Sequence, residues 1–146
     1  MEPLQVICEF VNTADLEGGT DSLTDPRERR VREAVRTLLR ANNGIAVDVG
    51  QASRVLDEAV RRSGLRVGFA AGTLAFRSYE RSRVARVLTA VAETTADGSF
   101  RRLKACRSET CQWAFVDNAR NRSRQWCSMA VCGNRAKART FRVRHA

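Results

Sequence analysis

Residues 106–146 read CRSETCQWAFVDNARNRSRQWCSMAVCGNRAKARTFRVRHA and hold four of the five cysteines, Cys106, Cys111, Cys127 and Cys132. Their spacing is C-x4-C-x15-C-x4-C. Two short pairs divided by a longer insert present two thiolates from each of two knuckles, which is how one chain assembles a tetrahedral, all-sulfur zinc site. The alternatives are disulfides and an iron–sulfur cluster. Disulfides need an oxidising compartment, and nothing here marks the chain for export. Clusters use other spacings and call for fewer surrounding arginines. The pattern therefore predicts one structural Zn2+ held by these four cysteines.

Charge is concentrated around the same stretch. The chain has 146 residues and a net charge of +10. Residues 1–100 carry 14 basic and 14 acidic side chains, whereas residues 101–146 carry 12 basic ones against Glu109 and Asp117 alone. Four thiolates and one dication would lower the net charge of that module to about +8. Such a field captures polyanions. A solubilising tail is the plainer alternative. Only Lys104 and Lys137 are lysines; a G+C-rich genome would give the same arginine bias, so the position of the charge is the informative part. The opening MEPLQVICEFVNT has no basic n-region or long apolar core, and no apolar run reaches the roughly 18 residues of a membrane span. A cytoplasmic protein with reduced thiols and no membrane partner is expected.

An α+β chain is expected, with a helix-rich N-terminal domain over residues 1–100 and a zinc finger over 101–146. Residues 4–13 are rich in β-formers and alternate loosely, which suits a strand; Cys8 reads as a core thiol rather than a redox sensor. After a loop with a Gly-Gly turn, Asp25, Pro26 and Glu28 form a capping box that opens a helix. Val31, Ala34, Val35, Leu38 and Leu39 make its apolar stripe, and Asn42-Asn43-Gly44 ends it. Arg29, Arg30, Arg32 and Arg36 read as its solvated face, with nucleic-acid contact the minority alternative. A second helix starts at Asp48 with Gln51, buries Ala52, Val55, Leu56, Ala59 and Val60, and stops at Gly64. Residues 65–79 alternate as a hairpin turning at Ala71-Gly72, with a bulge expected at Gly68. A third helix covers roughly residues 80–95, with Val84, Val87, Leu88 and Val91 inside, and ends at Asp97-Gly98. This half has no phosphate loop, activated nucleophile or convergent carboxylates, and His145 is the sole histidine. The expectation is a non-enzyme.

In the last third, residues 101–105 and 112–116 should form two arms of a hairpin around the first knuckle. Cys132 should open a terminal helix over about residues 132–143. These features predict a treble-clef-like finger that depends on its metal for stability. Trp113, Phe115 and Trp126 are assigned to a small core around the zinc, with a base-stacking platform as the alternative. Gly133 is expected to turn the backbone tightly, and Asn134 to cap it. Arg120, Arg122 and Arg124 alternate along the loop. Arg135, Lys137, Arg139, Arg142 and Arg144 populate the helix, with Arg135, Arg139 and Arg142 on one face. Together they form the candidate nucleic-acid surface.

Trp126-Cys127-Ser128-Met129 followed by Cys132-Gly133-Asn134-Arg135-Ala136-Lys137 resembles the CGNR zinc-finger family. Phe115-Val116-Asp117 and Arg120-Asn121-Arg122-Ser123-Arg124 resemble that family's inter-knuckle segment, with Asn118-Ala119 replacing the small hydroxyl residues usual there. Glu9 with Phe10-Val11-Asn12-Thr13 resembles the start of the ABATE domain, which commonly precedes this finger; Glu9 stands where Asp is more usual. The resemblance implies a stress-induced transcription regulator. The resulting expectation is a zinc-dependent regulator whose basic finger contacts duplex DNA and whose N-terminal domain senses or forms a homodimer. An RNA- or ribosome-associated protein and a module docking an acidic protein are the alternatives.

Overall fold

A computed structural model describes residues 1–146. The elements in order are α1 (Pro3–Val11), β1 (Ala14–Asp15), β2 (Thr20–Asp21), α2 (Pro26–Asn42), α3 (Val49–Ser63), β3 (Arg66–Ala70), β4 (Thr73–Arg77), α4 (Arg83–Ala96), β5 (Leu103–Ala105), β6 (Ala114–Val116) and α5 (Asn134–Arg144). A 3-10 turn, Ser99–Arg102, precedes β5, and a π-helical turn, Met129–Gly133, precedes α5. The strands pair as three separate antiparallel hairpins, β1–β2, β3–β4 and β5–β6. The architecture is α+β, as expected.

The opening segment departs from its expected strand. Pro3 sits in the first turn of a helix, where its missing N–H costs nothing. Leu4, Ile7, Phe10 and Val11 then recur at helical intervals, and the last three are buried. An apolar run this short fits either period, and packing against α4 and α2 decides it. Cys8 packs half-buried at the edge of this core. Burial, with the nearby Glu9 carboxylate, pushes its thiol up to about 11.

The starts of α2 and α3 were legible in the sequence, whereas α4 begins at Arg83 behind a Ser82 cap and α5 at Asn134, each two or three residues later than expected. The Asp25 carboxylate accepts from the Arg27 N–H at 2.8 Å, behind Pro26. Glu28 does not close a capping box; it takes an ion pair from Arg83 instead. Asp48 accepts from the Gln51 N–H at 2.9 Å, and Gly64 ends α3 at φ +64°. The β3–β4 hairpin turns at Ala71-Gly72, both at positive φ. Its register runs unbroken through Gly68 opposite Ala75, so the expected bulge is absent.

The arginines of α2 do not all face solvent. Arg32 is buried and donates through both Nη1 and Nη2 to Asp21. Arg36 is 2% exposed and donates to the Val11 carbonyl at 3.0 Å and the Gln112 carbonyl at 2.9 Å. Helical spacing puts both at the border of the apolar stripe; only the chain packed against them decides whether that border is wet.

The main core joins Ile7, Phe10 and Val11, Val31, Val35 and Leu39, and Val87 and Leu88 to Leu103, Ala105 and Ala114 of β5–β6. Residue 100 therefore divides charge, while one core crosses it. Polar bonds follow the same route. Asn12 donates to the Ala114 carbonyl at 3.0 Å and accepts its N–H at 2.8 Å. Asn42 donates to the carbonyls of Phe100 and Leu103, and Asn43 to those of Ala105 and Gln125.

Two outcomes follow from this packing. Arg36→Met leaves two carbonyls without their charged donor and should cost about 3 kcal/mol in urea unfolding, whereas exposed Arg30→Met should change it by under about 0.5 kcal/mol. The Arg32 hydrogen bonds, with the Leu23 N–H, hold Asp21 down at about 2 from an ordinary 3.8. Its folded value lies below the unfolded one, so its stabilisation is full above 3.8 and is lost as pH falls towards 2. Asp21→Asn should flatten the acid limb of a stability–pH profile in that window.

Candidate metal centre and basic arm

The two knuckles are set by backbone bonds on either side of β5–β6. Leu103 pairs with Val116, Lys104 with Phe115 and Ala105 with Ala114. Beyond the last pair, the Cys106 N–H donates to the Trp113 carbonyl at 2.9 Å, and the Cys111 and Gln112 N–H groups both reach the Ser108 carbonyl at 3.0 Å. Gln112 takes φ +50° to close this turn. In the second knuckle the Ser128 hydroxyl accepts from the Val131 N–H, and its carbonyl accepts from the Gly133 N–H.

These turns bring the four sulfurs within 4.8 Å of one another. Cys111 Sγ lies 3.6 Å from Cys127 Sγ, which lies 3.8 Å from Cys132 Sγ. A tetrahedron with zinc–sulfur bonds of about 2.3 Å has edges of about 3.8 Å, so the cluster fits the ion. The electrostatics agree. Burial raises the Cys106 thiol, but the N–H groups of Cys127 and Ser108, together with hydrogen bonds from the Cys132 and Cys127 thiols, hold the group low. Burial and neighbouring sulfurs push Cys127 and Cys132 up. Four thiolates this close repel, and a central divalent cation turns the repulsion into attraction. None of the five cysteines is tied up in a disulfide, which leaves the four clustered sulfurs available to a metal.

Around the sulfurs, Phe115 is buried and Trp126 half-buried in one cluster with the cysteines. Trp113 is not part of that core; it is 38% exposed on the outer side of the knuckle. Gly133 has an ordinary φ of −62° and lies close beneath the Met129 and Trp126 side chains. A Cβ there would lie 2.6 Å from Met129 Sδ and 3.3 Å from Trp126 Cδ1. Asn134 donates to the Ala130 carbonyl at 3.3 Å, bridging the π-helical turn to α5.

The inter-knuckle loop is held from inside by a buried ion pair. Lys104 Nζ donates to Asp117 Oδ2 at 2.7 Å and to the carbonyls of Arg122 and Arg124. Asp117 also accepts the N–H groups of Ala119 and Arg124. Desolvation opposes ionisation of this carboxyl, yet the Lys104 ammonium and the two N–H donors hold it below its ordinary value. Residue types alone did not mark this pair, because a lone lysine in a basic stretch and a lone acid beside it look like surface charges.

Residues 102–145 match the CGNR zinc finger family. No curated protein matches the chain. The finger is thus a zinc-binding module built on Cys106, Cys111, Cys127 and Cys132.

Its arginines divide into two groups. Arg124 turns inward, its guanidinium 4.6 Å from the Phe115 ring centroid and donating to the carbonyls of Trp126 and Cys127. Arg122 takes φ +52°, so the loop is not extended and Arg120, Arg122 and Arg124 do not share a direction. Arg120 and Arg122 remain exposed. On α5, Arg135 is paired with Glu17 of the β1–β2 turn. Lys137, Arg139, Arg142 and Arg144 are exposed and make no ion pair.

The finger should hold one zinc per chain by elemental analysis. Because its strands complete the main core, chelation should lower the urea midpoint of the whole chain rather than release an independent tail. Lys104→Met leaves Asp117 buried without its cation and should cost about 3–5 kcal/mol in the same measurement.

Proposed function

We propose that the CGNR finger binds duplex DNA through α5 and the Arg120–Arg122 loop, and that the protein acts as a transcription regulator. One observation carries the reading: α5 contains no buried residue and, apart from the π-helical turn before it and the Arg135–Glu17 pair, packs little against the rest of the chain, yet it bears five cations and no acid. Helices in folded proteins ordinarily bury an apolar stripe. One that is exposed and basic all round is suited to a groove walled by phosphates.

Dimensions support this. Eleven residues extend about 16 Å, and a helix with its side chains is about as wide as the major groove. Arg135, Arg139 and Arg142 project to one side, and Lys137 and Arg144, seven apart, to the other. A helix lying in the groove would meet a phosphate strand on each flank, with contact residues near its middle facing base edges. Arg135 would have to exchange Glu17 for a phosphate. Arg124, committed to Trp126, Cys127 and Phe115, is left out of the surface.

A second reading, single-stranded RNA, draws on the exposed Trp113 and on Phe141, which stacks on His145 at 4.1 Å between centroids. Aromatics beside arginines stack on bases. The resemblance of residues 9–13 to the ABATE domain supports regulation, and the all-thiolate site suits a reducing, cytoplasmic setting. Binding rather than catalysis is the role proposed.

Fluorescence anisotropy of the zinc-loaded chain on duplex DNA across a salt series tests this. Arg139→Ala should weaken binding on every duplex and reduce the slope of log K against log salt by about 1. Arg124→Ala should instead reduce zinc retention. Unchanged affinity in Arg139→Ala with zinc retained, or a preference for single-stranded RNA, would overturn the duplex assignment.

A further inference from the structure

The β3–β4 hairpin stands apart from the core. Val67 is 65% exposed, Phe69 76% and Leu74 50%, while Phe76 is half-buried. The register places Val67 opposite Phe76 and Phe69 opposite Leu74, so these four share one face. The other face holds Arg66, Gly68, Ala70, Thr73, Ala75 and Arg77. A lone two-stranded ribbon is marginal in water, and an apolar one with open edges invites another strand.

The edge itself says which strand. A two-residue turn closes on a hydrogen-bonded pair, here Ala70 and Thr73. Alternation then makes Gly68–Ala75 and Arg66–Arg77 bonded pairs and leaves the N–H and C=O groups of Val67 and Phe69 pointing away from β4. β4 lies against α4, whereas β3 is exposed along most of its length. No proline, bulge or inward-facing charge protects the β3 edge, which are the usual guards against pairing.

The geometry points to a homodimer in which β3 pairs antiparallel with β3 of a second copy about a two-fold axis through Gly68. In that register Val67 and Phe69 exchange hydrogen bonds with the second copy's Phe69 and Val67. The hairpins merge into a four-stranded sheet, and each cross-strand row on its apolar face reads Phe76, Val67, then the second copy's Phe69 and Leu74. Arg66 falls opposite the second copy's Ala70, so no arginine meets its own image; its guanidinium stays 5.7 Å over Tyr79. Gly68 and its image form a close, non-bonded pair that has no side chains to clash.

Pairing at the edges leaves the apolar face of the sheet open; what it satisfies are the N–H and C=O groups of Val67 and Phe69, and it packs each Val67, 65% exposed in one chain, beside the second copy's Phe69, 76% exposed. This assignment does not rest on the DNA reading.

Sedimentation equilibrium of the full zinc-loaded chain, from micromolar to submillimolar, tests it together with a cross-linking variant. A concentration-dependent monomer–dimer equilibrium is expected, and Phe69→Glu should weaken it by at least about tenfold while zinc content and far-ultraviolet circular dichroism hold. Gly68 has no atom near its would-be Cβ, so Gly68→Cys should fold. A non-bonded antiparallel pair sets its Cα atoms about 4.5 Å apart, within disulfide range. Mild oxidation should therefore link Gly68→Cys chains into dimers, and Val67→Cys chains much less. A monomer at all concentrations would overturn the proposal. So would a dimer that survives Phe69→Glu and leaves Gly68→Cys unlinked, or a hairpin that pairs only with a different protein.

Discussion

A buried guanidinium organises the joint between the helices and the finger. Arg36 cannot stay charged inside the protein without acceptors. It finds them at the carbonyl of Val11, the last residue of α1, and at that of Gln112, the residue after Cys111. Burial pulls its pKa down, and nearby Glu33 opposes that pull. The acceptors come from three places: the end of a helix, where carbonyls are unpaired and the dipole is negative; a knuckle whose backbone is turned to positive φ; and the side chain one turn back. Displacing any of them leaves a charge or a carbonyl uncompensated in a dry site.

Asn12, Asn42 and Asn43 extend that constraint. Each sits at the end of a helix of the N-terminal part, and each places its amide on carbonyls of the finger strands or the segments beside them. Amides suit this work because they satisfy backbone groups at a sheet edge without carrying charge into the core. Zinc chemistry in the finger and packing in the N-terminal part are thereby one folding problem. The same joint leaves two elements on the outside: α5, tied to the β1–β2 turn by the Arg135–Glu17 pair, and the β3–β4 ribbon, which touches α4 through β4. Both are conspicuous because so much else is tied down.

Local chemistry was legible wherever a residue acts through its own neighbours. Asp25 with Pro26, Asp48 with Gln51 and Ala71-Gly72 each do what their side chains or absent side chains dictate within a few residues. The cysteine spacing belongs to the same class, since a knuckle is a local turn. Residues whose role depends on a distant segment carry no local mark of it. Arg36 looks like a surface charge until Gln112 arrives, Arg124 looks like a phosphate ligand until Phe115 is beneath it, and Lys104 looks like one more cation until Asp117 lies beside it.

The sequence by itself determined the metal site, the α+β class, most helix boundaries and the placement of the net charge. Each follows from spacing or composition within a short window. Tertiary structure alone decided that residues 3–11 are a helix, because an apolar segment of that length satisfies both periods and only the surface it packs against selects one. It also decided which arginines are structural and which stand free, since burial of a charge is a property of what surrounds it. A buried cation needs partners from other parts of the chain, and no local pattern records where those parts will be.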